Sequence, residues 1–291
     1  MKRYLTLFYV LLLVILSACN GKSSQKEENK RLIMVTMEPQ RYFTEAIAGD
    51  KFLVESMVPK GSSPETYDPT PQQLTRLSKS EAYLRIGHIG FEQSWMDRLT
   101  DNAPHMQIFD TSKGVELIHG EGHNHGDHFH AGGVDPHIWN SISNARIIAK
   151  NTFQALITLD KTNENYYLHR YDSLCKVINR TDSVINNIFQ TRKADHAFMI
   201  YHPALSYFAR DYGLHQICIE EEGKEPSPAH LRDLIEICKE EEVRIIFVQP
   251  EFDRRNAEII AKQTNTNIVD VNPLSYNWEK EMIHIANSLC K

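Results

Sequence analysis

The sequence predicts an α/β fold of two lobes, each a mainly parallel sheet flanked by helices, joined by a long rigid linking helix. Three observations carry that reading. Residues 31–110 alternate short apolar runs with amphipathic stretches in a β-α-β-α-β-α order, the rhythm of a parallel sheet covered by helices. From Ser141 to Arg192 the chain has no glycine or proline and repeats apolar residues at helical spacing, as in a pair of long helices. Beyond Ala197 the alternation resumes.

The elements follow in order. Leu32 to Thr36 reads as a strand, and Pro39 to Ala48 as a helix with Tyr42, Phe43 and Ile47 on one face, stopped at Gly49. Phe52 to Val58 is a second strand, Pro71 to Ser78 a helix, Ala82 to Ile86 a strand, Phe91 to Leu99 a helix and Gln107 to Phe109 a strand. One helix is expected from Ser141 to Leu159 and a longer one from Asn163 to Thr191. Strands are then expected at Ala197 to Tyr201, His215 to Ile219, Val243 to Val248 and Asn267 to Val271. Helices lie between and after them, at Ala204 to Tyr212, Ser227 to Glu241, Asp253 to Thr264 and Trp278 to Leu289. Ser227 is suited to cap its helix. The resulting organisation is an N-terminal lobe at 31–160, a linking helix at 161–193 and a C-terminal lobe at 194–291.

The N-terminus bears on the compartment. Lys2 and Arg3 precede a nearly unbroken apolar run from Leu5 to Leu16, too short for a stable span and laid out like a secretory signal. Leu16-Ser17-Ala18-Cys19 resembles the bacterial lipobox. It implies a signal peptide at 1–18 and a diacylated Cys19 as the mature N-terminus, the alternative being a chance cysteine. Residues 19–30 lack large apolar side chains and are expected to be a disordered tether. These features describe an extracytoplasmic, lipid-anchored protein, expected to be monomeric.

A net charge of −6 with no basic cluster argues against a nucleic-acid partner. Cys175, Cys218, Cys238 and Cys290 show no CxxC spacing, which disfavours a structural thiolate metal site. In an oxidising compartment Cys238 and Cys290, both late on predicted helices, are the candidate disulfide, against buried free thiols.

Five of the fourteen histidines, His119, His123, His125, His128 and His130, fall within twelve residues. Imidazole is a ligand that zinc, copper and nickel share. The intervening Gly, Asn, Asp and Glu favour turns, so the segment reads as a flexible, solvated collector of several metals. A selective site needs ligands on rigid elements, which makes this loop accessory.

Such ligands are sought just after strands, where α/β sheets build their sites. Glu65 (in Gly61-Ser-Ser-Pro-Glu65-Thr-Tyr67), His137 (in Asp135-Pro-His137-Ile-Trp139), His202 (in Tyr201-His202-Pro203) and the segment Asp270-Val-Asn272-Pro-Leu274 stand there. Taken singly, a histidine after a strand is more often a hydrogen-bonded structural residue than a ligand.

As an ordered set, these segments resemble the zinc and manganese solute-binding proteins of ABC transporters, the TroA-like cluster A-I group. That family runs Gly-x-x-Pro-His-x-Tyr-x-Pro, then Asp-Pro-His-x-Trp, then a histidine followed by a tyrosine, and last Asp-Pro-Leu. The matches here are Pro64 to Pro69, Asp135 to Trp139, His202 to Tyr207 and Asn272-Pro273-Leu274. Further similarity lies in Ala48-Gly49-Asp50-Lys51, in Gly90-Phe91-Glu92 with Trp95, in 223–229 and in Gln249-Pro250-Glu251-Phe252. The resemblance covers 31–291, and a histidine-rich insertion before Asp-Pro-His-x-Trp is similar to the zinc-specific members. It implies a helical-backbone metal receptor that binds Zn2+ between its lobes and delivers it to an ABC permease, with Mn2+ the less favoured cargo.

Two positions depart from the family pattern. Its first histidine is Glu65 here, and its final aspartate aligns with Asn272. The exchange keeps the carboxylate count at one, as a retained dication site requires; the alternative is a decayed site with another ligand. Asp270 lies two residues before Asn272 and would face the same side of a regular strand. The fourth ligand is therefore open between Asp270, Asn272 and water. Two nitrogens with one or two oxygens in tetrahedral geometry suit zinc. A metallohydrolase is the competing class, disfavoured because no His-Glu-x-x-His element is present. A metal-sequestering or adhesin-like surface lipoprotein is a further alternative.

Overall fold

The computed structural model describes residues 31–119, 123–125, 128–130, 133–192, 194–221 and 223–290. The expected signal peptide, Cys19 and the expected tether fall at 1–30, outside the described residues. Among those described, two four-stranded parallel sheets are present. The first has the order β2-β1-β3-β4, from β1 (Arg31–Val35), β2 (Phe52–Ser56), β3 (Ala82–Arg85) and β4 (Gln107–Asp110). The second has the order β10-β9-β7-β8, from β7 (Ala197–Ile200), β8 (His215–Cys218), β9 (Ile245–Val248) and β10 (Asn267–Asp270). Central strands are buried on both faces, which explains the continuous apolar runs Leu32 to Val35 and Ile245 to Val248.

Strand periodicity divides each sheet's side chains between two layers. Ile33 and Val35 face a central core, while Leu32 and Met34 face an outer layer with Tyr83, Leu77 and Phe91. In the second sheet Phe198, Ile200 and Phe247 join the central core, and Ala197, Met199 and Ile246 pack outward with Leu234 and Cys238. The central core is continuous across both sheets because helices fill the space between them. These are α1 (Glu38–Ala48), α4 (Ile142–Leu159), α5 (Glu164–Thr191) and α9 (Trp278–Ser288), with Trp139 and Trp278 fully buried among them.

Helix α5 is the linking helix that the uninterrupted 141–192 stretch predicts, preceded by a single 3-10 turn at Lys161–Asn163. Its 28 residues span roughly 42 Å at 1.5 Å per residue. Tyr167, Leu174, Ile178, Thr181, Ile185 and Ile188 form its buried stripe, a spacing of three and four that keeps one face inward. It is tied to helices from both halves of the chain: Arg170 donates to the Ala46 carbonyl of α1 (3.0 Å), and Arg180 pairs with Glu279 on α9.

The shorter helices carry the expected terminal chemistry. Thr70 caps α2 (Pro71–Leu77) in a reciprocal box with Gln73. Ser141 caps α4, and Ser227 caps α7 (Pro228–Glu240). Helix α6 (Ser206–Tyr212) ends at Gly213 with φ 67°, a left-handed stop that glycine adopts freely. The remaining helices are α3 (Gly90–Asn102) and α8 (Arg255–Thr264).

Two expectations are corrected. The Cys238–Cys290 disulfide is not formed, and both are free thiols. Cys238 is buried in the outer layer of the second sheet, its Sγ 3.5 Å from Thr266 Oγ1, whereas Cys290 packs against the central core. A layer of strands keeps the two on opposite sides, which proximity to the ends of two helices in sequence does not reveal. The histidine-rich segment is not simply loop. Residues His123–His125 (β5) and His128–His130 (β6) pair antiparallel, and His119 bridges to Val134 at their base. In the sequence a Gly-Asp pair separates the two strands, and a glycine first in a two-residue connection is a hairpin signal.

Candidate metal centre

Glu65, His137 and His202 converge: one donor atom from each lies within 4.8 Å of the others, and no second group of this kind is found among the described residues. They arrive on three different segments. Glu65 lies in the loop after β2, His202 follows β7 directly, and His137 sits between the Val134 bridge and α4, not at a strand end. Its position depends on Trp139, whose indole donates to the Pro273 carbonyl (2.8 Å), and on Asn140, which donates to the Ala204 carbonyl (2.9 Å). The Asp-Pro-His-x-Trp motif thus binds the His137 turn to the second sheet's loops.

Glu65 is held by the start of α3. The Gly90 N–H donates to Glu65 Oε2 (3.1 Å), and the Phe91 N–H donates to the Pro64 carbonyl (2.8 Å). A carboxylate at a 13-residue helix N-terminus is favourably placed. Gly90 permits the approach: a Cβ there would stand 2.5 Å from the Glu65 carbonyl oxygen and 2.8 Å from Oε2. The other carboxylate oxygen, Oε1, is buried without a hydrogen-bond partner, a costly state for a charged acceptor unless a cation satisfies it.

Each imidazole is oriented by a carboxylate. His137 Nδ1 is 2.9 Å from Asp135 Oδ1, and His202 Nδ1 is 2.9 Å from Glu220 Oε1. With a proton on each Nδ1, both Nε2 atoms present lone pairs, and they face each other at 3.1 Å. A carboxylate behind a ligating histidine fixes this tautomer. Two converging lone pairs beside an unpartnered carboxylate oxygen make a trap for a small cation. His202 is further held by Gln249, which donates to its carbonyl (2.7 Å), and by Phe252, stacked on its ring at 5.1 Å. His137 is only 6 % exposed. Burial acts to raise the Asp135 pKa, but hydrogen bonds from the His137 ring and backbone, with the His137 and Ser206 contributions, hold it below the usual carboxylate value.

The cavity among these residues measures about 20 Å3 and is also lined by Trp139, Glu251, Phe252, Pro273 and Leu274. That is room for one atom-sized guest. A larger hollow of about 540 Å3 reaches the same three side chains and passes His88 and Gln93 to Gly133 and Val134, at the base of the hairpin.

The other nominated ligands lie elsewhere. Asp270 has a side chain 76 % exposed and paired with Arg254 at 3.0 Å. Asn272 accepts from the Leu274 N–H through Oδ1 (3.1 Å), while its own N–H donates to Glu281 (2.7 Å). Both line a separate cleft with His284. Asp270 belongs to the edge strand β10, and Asn272 uses its side chain to turn the chain into Pro273 and Leu274. His119 is exposed at the hairpin base; His123 pairs with His130 and His125 with His128 across its two strands. Sequence reasoning missed Glu220 and, on the cavity wall, Glu251. The position of Glu251 just past β9 was a readable signal, because strand C-termini are where such sheets bind.

A two-lobed α/β fold with a converging His-His-Glu cluster and a long linking helix is that of a metal-binding substrate-binding protein of the ABC-transporter class. Residues 33–289 match the family model described as ZnuA, the periplasmic component A of the zinc-uptake complex, and the chain belongs to that family. It is 30 % identical over 272 residues to the metal ABC transporter substrate-binding lipoprotein FimA of Streptococcus parasanguinis, covering 89 % of this chain and 85 % of the relative. It is 29 % identical over 273 residues to the manganese ABC transporter substrate-binding lipoprotein PsaA of Streptococcus pneumoniae, covering 91 % and 86 %. Among solved structures, that of ZnuA superposes with a TM-score of 0.82 at 33 % identity, over 89 % of this chain and 98 % of the other. A manganese-bound periplasmic metal-binding protein from candidatus liberibacter asiaticus shares the fold, with a TM-score of 0.78 at 19 % identity over 89 % of this chain and 100 % of the other.

Proposed function

We propose that this protein captures Zn2+ between Glu65, His137 and His202 and delivers it to an ABC permease. The observation that carries this is the pair of carboxylate-oriented imidazoles whose Nε2 atoms face each other at 3.1 Å, beside the unpartnered Glu65 Oε1. Two neutral nitrogens and one carboxylate favour zinc over manganese, which prefers more oxygens. The histidine-rich hairpin adds weaker, less selective sites. The manganese reading is supported by the names of the streptococcal relatives and by the oxygen that Glu65 supplies in place of a third imidazole.

Binding is the whole activity in this reading. The three donors close on a space of about 20 Å3, sized for a single ion. The lipobox-like Cys19 anchors a monomer to the outer side of a membrane; among the described residues no helix is long and apolar enough to cross one. The lobes at 31–160 and 194–291 are braced by the 161–193 helix, so release proceeds by small tilts and loop movements, not a wide hinge.

The test is titration of the protein with Zn2+, Mn2+, Cu2+ and Ni2+, repeated with Glu65→Ala, His137→Ala and His202→Ala. The expected result is one tight zinc equivalent in the parent, strongly weakened in each variant. Parent-like zinc binding in all three would remove this site assignment.

A further inference from the structure

Glu65, His137 and His202 leave a tetrahedral dication one donor short. The structure commits both of the C-terminal residues that the sequence nominates: Asp270 to Arg254, and the Asn272 amide oxygen to the Leu274 N–H. One carboxylate of the C-terminal half does line the ion-sized cavity, and it is Glu251. It stands in the turn just past β9, between two residues that grip His202: Gln249 brackets its backbone, and Phe252 stacks on its ring. The Glu251 carboxylate bonds to its own backbone N–H, and no ion pair engages it among the described residues.

We propose that Glu251 supplies the fourth donor to the captured dication, joining Glu65, His137 and His202 when the ion enters. This inference rests on the reading of those three as the metal site. Donor count supports it: three protein donors leave one tetrahedral position unfilled, and Glu251 is the further carboxylate that lines the cavity. Position supports it too. Glu251 is one of the residues of the second sheet's loops that face the cavity, as are His202 and Leu274, so its ligation would couple that half of the molecule to the ion more firmly than His202 alone. Its oxygens are not among the donor atoms already gathered within 4.8 Å, so it reaches the ion by rotating its own side chain. The finished set has two nitrogens and two carboxylates. The second carboxylate raises the affinity for harder cations, and Glu251 is therefore a determinant of how sharply zinc is preferred.

The experiment compares the protein with its Glu251→Gln and Glu251→Asp variants. Zinc and manganese affinities are measured by competition with a chromophoric chelator, and the visible spectrum of the cobalt(II)-loaded protein reports coordination. Groups that merely support a metal ligand cost 10–100-fold on removal, so Glu251→Gln should lower zinc affinity by at least about tenfold. It should lower manganese affinity by more, and change the cobalt absorption. Glu251→Asp should recover part of each loss, and melting of the metal-free variants should match the parent. Parent-like affinities and an unchanged cobalt spectrum in Glu251→Gln, alongside lost binding in His137→Ala and His202→Ala, would overturn this inference alone. Parent-like binding in the two histidine variants would overturn the site reading beneath it.

Discussion

Gly90→Ala isolates the way the N-terminal half presents its carboxylate. The added methyl would lie 2.5 Å from the Glu65 carbonyl oxygen and 2.8 Å from its Oε2, closer than a carbon and an oxygen settle. The turn carrying Glu65 must therefore move away from α3, lengthening the 3.1 Å bond from the Gly90 N–H. Crowding of this kind costs about 1–3 kcal/mol, offset by roughly 0.5–1 kcal/mol from replacing glycine in a helix. The net loss of up to ~2.5 kcal/mol corresponds to a melting temperature lower by at most ~10 °C for a chain of this size. Metal binding should suffer more distinctly, because an ion bound at three fixed donors responds to displacement of any one. Loss of the supporting contact alone is worth about 10–100-fold in affinity, which is ~1.4–2.7 kcal/mol. Chelator competition reads the affinity, and thermal melting without metal reads the fold. A Gly90→Ala protein that melts a few degrees lower yet binds zinc as tightly as the parent would refute the placement of Glu65 at the ion.

Other outcomes follow from the same geometry. Asp135→Asn and Glu220→Gln should each weaken zinc about 10–100-fold by releasing the Nδ1 proton of His137 or His202; the check is the same competition assay. Because the Asp135 pKa is held down in the fold, its stabilising share is present above the ordinary carboxylate pKa and lost as pH falls through the depressed one. The melting gap between parent and Asp135→Asn should accordingly be full near pH 6–7 and narrow below about pH 4. Deleting Gly120 to His130 should leave the tight zinc equivalent and remove only weaker ones, as counted by calorimetric titration. Unfolded without reductant, the protein should yield reactive thiols at Cys175, Cys218, Cys238 and Cys290; protection of Cys238 and Cys290 would restore the disulfide.

Much of the fold was legible because its periodicities are strong. The continuous apolar run Leu32 to Val35 of a central strand and the long inward stripe of α5 are patterns that neighbouring residues alone generate. The site was half legible for a related reason. His137 and His202 stand in motifs whose aromatic members, Trp139 and Tyr207, lie two and five residues further along the chain. What escaped depends on contacts distant in sequence. The Glu220 carboxylate meets His202 across 18 residues, and Arg254 draws Asp270 away across 16. The same holds for Cys238 and Cys290, whose helices run close in pattern but lie against different faces of one sheet.

The central claim is where the ion sits, and anomalous diffraction at the zinc edge from crystals of the zinc-loaded protein measures that directly. The account predicts a dominant peak bonded to Nε2 of His137, Nε2 of His202 and Oε1 of Glu65, inside the cavity that Trp139 and Phe252 help to wall. A dominant peak in the cleft of Asp270 and His284, or on the histidine-rich hairpin with none between His137 and His202, would contradict it.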